Sequence, residues 1–169
     1  NPPPNLSCKF FTHSAVFILW ARKNKKVPHY YNYELMKQIN GGTQMRDVWQ
    51  MPAIGRWEKT CGKHPTQKPL SLLARIIQAS TKENAWILDP VCGSSTTGIA
   101  ANLLNRRYLG IDQEQEFLKI SKQRRQEIEN ITIRMDYCER ICKTADGDLQ
   151  QILELHENRP YYGVDLPIR

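Results

Sequence analysis

The amino-acid sequence predicts an α/β fold built around a parallel sheet. Two short apolar segments, residues 85–88 and 107–111, each precede a segment of helical character, and a loop of small residues at 93–98 joins the first of them to its helix. Strand, loop, helix, strand and helix in this order are typical of a parallel sheet with right-handed crossovers. The 169 residues are enough for one modest domain with a core of its own.

Helices are predicted before, between and after the two strands. Residues 69–80 place apolar side chains at helical spacing, with a proline near the start, where a helix tolerates it. The apolar positions of this helix are Leu70, Leu73, Ala74 and Ile77, and those of the next helix are Ile99, Ala100, Leu103 and Leu104. A highly charged helix is expected over residues 113–128. Residues 131–169 are polar and weakly patterned, with one helical stretch near 149–155.

The first sixty residues have a different texture. Residues 10–21 are apolar, aromatic and partly β-branched, which predicts a buried strand that ends at the basic residues 22–26. Prolines and glycines punctuate residues 27–62, so we expect loops there, with a short helix near Tyr33–Ile39.

Charge is unevenly distributed along the chain. The net charge is +7, but residues 1–75 contain 12 Lys/Arg against 3 Asp/Glu, whereas residues 76–169 contain 12 against 14. Such asymmetry indicates that the first part faces a polyanion. A solvated basic surface without a partner is the alternative.

The five cysteines are expected to be reduced, and the protein cytoplasmic. Paired CxxC spacing is absent, and disulfides are rare in the cytosol. Cys138 and Cys142 lie four residues apart, but no histidine is close enough to complete a familiar zinc site, so no metal is predicted. No secretory signal and no apolar run of roughly 18 residues is present, which argues against a membrane span.

The segment from Asp89 to Asp112 has the features of a nucleotide-type ligand site. Small residues after Asp89-Pro90 allow close backbone approach, and the helix that follows offers unpaired N–H groups. Asp112 ends the next strand, where a carboxylate accepts hydrogen bonds from ribose hydroxyls. NAD, FAD and S-adenosylmethionine all fit. The absence of a Gly-Lys-Ser/Thr sequence excludes a P-loop, and the absence of GxGxxG disfavours a dehydrogenase. A tight turn with a surface aspartate is the plainest alternative.

Three motifs in fixed order carry a more specific resemblance. HPTQKP at residues 64–69, LDPVCGSSTTG at 88–98 and YLGID at 108–112 resemble the β class of DNA adenine-N6/cytosine-N4 methyltransferases. In that family the catalytic motif comes first, a target-recognition segment follows and the cofactor motifs come last. The resemblance covers roughly residues 1–128. It implies a Rossmann-like, S-adenosylmethionine-dependent methyltransferase sheet.

The resemblance also implies roles for individual residues in binding S-adenosylmethionine. Those expected at the methionine end of the cofactor are Thr66, Gln67 and Lys68. Those expected in the loop around its amino acid portion are Asp89, Gly93, Ser94 and Thr96. Asp112 would hold the ribose hydroxyls. A carboxylate suits the cationic amino group of this cofactor, and small residues suit close approach of the backbone.

The sequence departs from the family pattern at three places. Val91 stands where the loop usually has Phe, and Ser95 where it usually has a second Gly. If that second position requires a positive φ, serine costs about 1 kcal/mol there. Residues 15–16 are Ala-Val, where many relatives have His-Glu.

The family's catalytic motif, (Asp/Asn/Ser)-Pro-Pro followed by an aromatic residue, is not evident. Asn1-Pro2-Pro3 resembles its first three positions, but Pro4 cannot stack on a flipped base as an aromatic ring does. We therefore predict no catalytic residue in this chain and expect the N-terminal half of the sheet to be missing. A sheet without its neighbouring strands exposes apolar faces and an edge, so the isolated chain is expected to be marginally stable.

Four regions follow from these observations. Residues 1–26 would end the catalytic half, 27–63 would face DNA, 64–130 would bind the cofactor, and 131–169 have no assigned role. The predicted phosphate contacts are Arg22, Lys23, Lys25 and Lys26, and the candidates for reading bases are Arg46 and Arg56.

The function predicted for the complete protein is methyl transfer from S-adenosylmethionine to an exocyclic amino group of DNA. Adenine N6 is favoured over cytosine N4, because it is the more frequent target in the family that the sequence resembles. A truncated or degenerate methyltransferase that keeps only cofactor or DNA binding is the alternative. Double-stranded DNA is the expected partner; a homodimer and a cognate restriction endonuclease are left open.

Overall fold

The computed structural model describes Ser7, Lys9 and residues 11–12, 14–62 and 64–143. This part of the chain forms six helical segments and two strands. In order they are helix α1 (Tyr33–Ile39), a 3-10 helix (Arg56–Lys59), α2 (Leu70–Ser80), β1 (Trp86–Asp89), α3 (Thr96–Leu103), β2 (Arg107–Gly110), α4 (Gln115–Glu127) and α5 (Ile131–Lys143). The helices predicted near 33–39, 69–80 and 113–128 and both C-terminal strands are confirmed.

The two strands pair in parallel, with Trp86 opposite Arg107 and Asp89 opposite Gly110. Helix α3 connects them and packs against both. Gly98 permits this close packing, because a Cβ at that position would lie 2.4 Å from Cε1 of Tyr108. The βαβ arrangement predicted from the order of the elements is confirmed.

The core lies on one side of this strand pair, between α2, α3 and α5. The buried side chains that form it include Leu70, Ala74, Ile77, Ile99, Leu103, Ile128, Tyr137 and Ile141. Ile87 and Tyr108 point from the sheet toward this cluster. A smaller cluster of Met36, Ile39 and Ala79 holds α1 against α2.

The opposite face of the sheet is apolar, and no described element packs on it. Trp86 is 60% exposed, Leu88 62% and Leu109 48%. Strands alternate the direction of their side chains, so these residues form one continuous face. An apolar face of this kind is usually covered by a further layer of structure.

The prediction of a buried strand over residues 10–21 is wrong for the residues of that segment that the structure describes. Residues 11–12 and 14–21 form no strand, and Phe17 and Leu19 are 90% and 93% exposed. A strand requires a hydrogen-bonded neighbour, and none of the described residues provides one here. Apolar composition alone therefore overestimated the order of this segment.

Helix α5 was not predicted. It begins after Asn130, whose side chain accepts hydrogen bonds from the amides of Thr132 and Ile133 as an N-cap. Its buried side carries Tyr137 and Ile141. The predicted helical stretch near 149–155 lies outside the described residues. Within the described part of the chain, no helix is both long and apolar enough to cross a membrane.

Candidate functional site

The two strands place Asp89 and Asp112 at the same edge of the sheet. The amide of Ile111 donates to the carbonyl oxygen of Asp89 at 2.9 Å, and the amide of Cys92 donates to that of Ile111 at 2.9 Å. These bonds extend the pairing beyond the strands and bring the β1–α3 loop (residues 90–95) beside the end of β2. In open α/β sheets this edge is the usual place for a ligand.

Two residues of the β1–α3 loop have left-handed backbone. Gly93 has φ +51°, and Ser95 has φ 58° and ψ 38°. The positive φ considered for Ser95 is thus present, and serine bears the strain that the more usual glycine would avoid. The Ser95 hydroxyl lies 2.9 Å from that of Tyr108, which ties this turn to β2.

Asp112 closes the loop from the β2 side. Its Oδ2 accepts a hydrogen bond from the amide of Gly93 at 2.7 Å, and its Oδ1 accepts one from Glu114 at 3.0 Å. The amides of Glu114 and Gly93 hold the pKa of Asp112 below its ordinary value. Each carboxylate oxygen can accept two hydrogen bonds, so Asp112 can still accept hydrogen bonds from hydroxyl groups of a ligand.

Helix α4 supports the loop from behind. The Ser121 hydroxyl lies 2.9 Å from the carbonyl oxygen of Gly93, to which it donates. Nη1 of Arg124 donates to the carbonyl oxygen of Ser94 at 2.7 Å and lies 3.1 Å from Oγ1 of Thr96. Neither supporting residue was singled out from the sequence. The helix is so highly charged that nothing in its pattern distinguishes one buried arginine from its solvated neighbours.

The HPTQKP segment is fixed by a buried glutamate. Glu58 is 5% exposed, and its Oε2 accepts a hydrogen bond from the amide of Leu70 at 2.8 Å, at the start of α2. Nε2 of Gln67 donates to the carbonyl oxygen of Glu58 at 2.9 Å. Burial raises the pKa of Glu58. Pro69 occupies the N-cap position of α2 and makes no capping hydrogen bond with its side chain, so Glu58 caps the helix instead. Sequence reasoning missed this role of Glu58.

His64 connects the HPTQKP segment to the β1–α3 loop. Its ring packs on Phe117 of α4 at a centroid distance of 4.2 Å, and its Nδ1 accepts a hydrogen bond from the amide of Thr66 at 3.3 Å. On its other side, Nε2 lies 2.8 Å from the position that a Cβ on Gly93 would occupy. The two motifs, distant in sequence, thus share one wall.

The structure brings the predicted cofactor residues together, but their side chains differ in solvent exposure. Thr66 and Lys68 are exposed, and Asp89 and Asp112 are half-buried. The side chains of Gln67, Ser94 and Thr96 are instead buried, at 8%, 3% and 6% exposure, and bond to protein groups. These three residues can therefore contact a ligand mainly through their backbone atoms. Their roles as cofactor residues stay predictions.

The predicted DNA-facing cations are accessible. Arg22, Lys23, Lys25 and Lys26 are all exposed on a turn where the Asn24 side chain accepts from the amide of Lys26 at 2.9 Å. Trp20 packs beside this turn on His29 and Tyr31, at ring distances of 5.4 and 5.9 Å. Arg46 and Arg56 are also exposed. Their roles likewise stay predictions.

Two tryptophans of the segment 27–63, which is expected to face DNA, have intramolecular partners. Trp57 packs edge-on against Tyr137 at 5.0 Å, and the Arg75 guanidinium lies 5.2 Å from the Trp49 ring. Three cysteines, Cys61, Cys92 and Cys138, are free thiols. Among the described residues no group of three or more His, Cys, Asp or Glu side chains could hold a metal ion.

Parallel strands with a small-residue loop and carboxylates at the strand ends are the arrangement in which Rossmann-like folds bind nucleotide-type ligands. Comparison with known families is more specific. Residues 1–123 match the model of the DNA methylase family of N6/N4 methyltransferases. The chain belongs to this family.

Named relatives extend this finding. The chain is 62% identical over 128 residues to type II methyltransferase M2.MboI of Moraxella bovis, covering 76% of this chain and 47% of that protein. It is 61% identical over 133 residues to M2.DpnII of Streptococcus pneumoniae, covering 78% and 49%, and 39% identical over 133 residues to M.HinfI of Haemophilus influenzae, covering 76% and 37%. The chain spans about half the length of the first two.

A solved structure supports the fold. The crystal structure of the M1.HpyAVI–SAM complex matches with a TM-score of 0.55 and 35% identity, covering 73% of this chain and 56% of that one. The predicted fold class, part of a methyltransferase α/β sheet, is confirmed.

Proposed function

We propose that this chain forms the S-adenosylmethionine-binding part of a type II DNA amino-methyltransferase. The observation that carries the proposal is the site itself, in which the HPTQKP segment meets the β1–α3 loop at the ends of two parallel strands. Family membership and the cofactor complex of a 35% identical structure support it. The proposed reaction is methyl transfer to an exocyclic amino group of DNA, with adenine N6 placed before cytosine N4.

The residues present fit this cofactor. Gly93 and its small neighbours admit a ligand close to the backbone, and Asp112 retains acceptor capacity suited to ribose hydroxyls. Asp89 lies at the adjacent strand end, where a carboxylate suits an ammonium group. When bound, the cofactor supplies an electrophilic methyl group. The chain's own residues would hold and orient it beside the exposed Thr66 and Lys68.

The target base would be presented by other parts of the complete protein. The sequence predicts no catalytic residue in this chain, and the exposed sheet face at Trp86, Leu88 and Leu109 is suited to a further layer of structure. The proposed complete enzyme therefore adds a catalytic part against this face. A copy that retains binding alone is the second reading, and the experiments below separate the two.

DNA binding is assigned in this proposal to the basic turn around residues 22–26. Its four exposed cations can neutralise phosphates and release counterions. Replacing Lys25 and Lys26 by Gln should weaken binding of unrelated duplexes equally and lower the salt dependence by about 0.9 in log–log slope per lost contact. Replacing Lys119 and Lys122 of α4 by Gln is the matched control. An unchanged slope would remove this turn from the interface.

The experiment that tests cofactor binding is calorimetric titration of the folded chain with S-adenosylmethionine. Asp112→Ala should weaken saturable binding at least tenfold, about 1.4 kcal/mol. Asp136→Ala is the control, since that aspartate lies on α5 and pairs with Arg140 at an exposed site. A folded chain that does not bind would refute the cofactor assignment. Binding without methyl transfer to DNA by the full-length protein would favour the second reading.

A further inference from the structure

Arg124 is a charged side chain buried directly beneath the β1–α3 loop. It is only 3% exposed, whereas the side chain of its neighbour Arg125 is 34% exposed and pairs with Glu129. Two adjacent arginines of one helix thus have opposite environments. Placing a guanidinium in the interior has a desolvation cost, so its contacts need an explanation.

The contacts of Arg124 lie on both sides of the strained residue Ser95. Nη1 lies 2.7 Å from the carbonyl oxygen of Ser94, 3.3 Å from its hydroxyl and 3.1 Å from the hydroxyl of Thr96. Ser94 precedes and Thr96 follows the left-handed turn. One nitrogen therefore anchors the two residues that flank this turn, and the turn shapes the loop.

The other terminal nitrogen gains little from this position. Nη2 of Arg124 is buried and has no hydrogen-bond partner among the described residues. No carboxylate within the described ranges lies at ion-pairing distance from Arg124; Glu58 and Glu127 act on it through charge at longer range. Apolar side chains of similar volume often replace buried charges without loss of stability. Fold stability alone is thus a poor account of this arginine.

We infer that Arg124 is a positioning residue that holds the β1–α3 loop in the shape that binds the amino acid portion of S-adenosylmethionine. This inference rests on the proposed function. A loop already fixed before binding loses less conformational entropy when the ligand arrives, which raises affinity without a direct contact. Arg124 acts through Ser94 and Thr96 and touches no reacting atom.

The test compares two ligands on the full-length protein and its variants. S-adenosylmethionine contains the amino acid portion, whereas 5′-methylthioadenosine shares the adenosine and the sulfur but lacks that portion. Arg124→Met should weaken S-adenosylmethionine at least tenfold and leave 5′-methylthioadenosine unchanged. Arg124→Lys keeps the charge but not the planar fork, so it should show a smaller loss for the first ligand only. Arg125→Met is the control and should bind both ligands as the unaltered protein does.

Each result of this comparison either supports or overturns the positioning role of Arg124. Dissociation constants are measured below the unfolding transition of each variant, and Arg124→Lys carries the test if Arg124→Met does not fold. Equal weakening of both ligands would show a general structural role and overturn the inference, as would unchanged affinity for S-adenosylmethionine. If the unaltered, folded protein binds neither ligand, the proposed function fails and the inference fails with it. Selective loss of S-adenosylmethionine supports both.

Discussion

Ser95 allows the strain in the β1–α3 loop to be measured. Its backbone is left-handed, with φ 58° and ψ 38°, and its hydroxyl lies 2.9 Å from that of Tyr108. Ser95→Ala keeps the backbone strain and removes the hydrogen bond, so it should destabilise the fold by about 1–2 kcal/mol. Ser95→Gly removes the same bond but relieves about 1–2 kcal/mol of strain, at an entropic cost of about 0.4–1 kcal/mol.

The difference between these two variants isolates the backbone contribution. The glycine variant should be more stable than the alanine variant by about 1 kcal/mol, which corresponds to about 2–4 °C in Tm for a protein of this size. Denaturant unfolding and calorimetry of both variants measure this difference. An alanine variant as stable as the glycine variant would refute the assignment of strain to Ser95.

Ser121 provides a matched control with the opposite expectation. Its hydroxyl also bonds to the loop, at the carbonyl oxygen of Gly93, but its backbone is inside helix α4. Replacement by Ala or Gly removes the same hydrogen bond, and alanine should then be the more stable by about 1 kcal/mol. Glycine is thus expected to be more stable than alanine at residue 95, and alanine more stable than glycine at residue 121. This difference between the two sites identifies the left-handed backbone at residue 95.

Two further predictions concern the same loop. Gly93→Ala places a Cβ 2.8 Å from Nε2 of His64 at φ +51°, so it should lower the stability by more than about 1 kcal/mol and also lower the affinity for S-adenosylmethionine. Gly41→Ala, at φ +64° in open space, is the control and should lower the stability alone. Equal losses of affinity in the two variants would contradict this account. The pKa of Asp112 is lower in the folded state than its ordinary 3.8, so its stabilisation is complete above the unfolded pKa and is lost as pH falls through the folded pKa. In Asp112→Asn, the free energy of unfolding should therefore fall less steeply with decreasing pH below about pH 4. Urea unfolding at stepwise lower pH measures this dependence. The same pH dependence in the variant and the unaltered protein would show that other carboxylates dominate it.

The elements that local pattern predicted well are those that the core covers on one side. Helix α2 and the β1–α3–β2 unit have apolar residues at the periods of helix and strand, together with a loop of small residues between them. Local geometry and burial agree there, so pattern was sufficient. The segment 10–21 has the composition of a strand, but no described residue pairs with it. Composition cannot supply a neighbouring strand.

The sequence by itself determined the parallel α/β class, the order of the cofactor motifs and the clustering of positive charge before residue 76, because each depends on residues close together in the chain. Only the tertiary structure decided how the site is supported. Arg124 contacts Ser94 and Thr96, and His64 contacts Gly93 and Phe117, across long stretches of sequence. The burial of Glu58 and Arg124 depends on packing between separate elements. A polar residue has the same sequence signature whether it is solvated or buried, and hydrogen bonds across the fold determine which of them shape the loop.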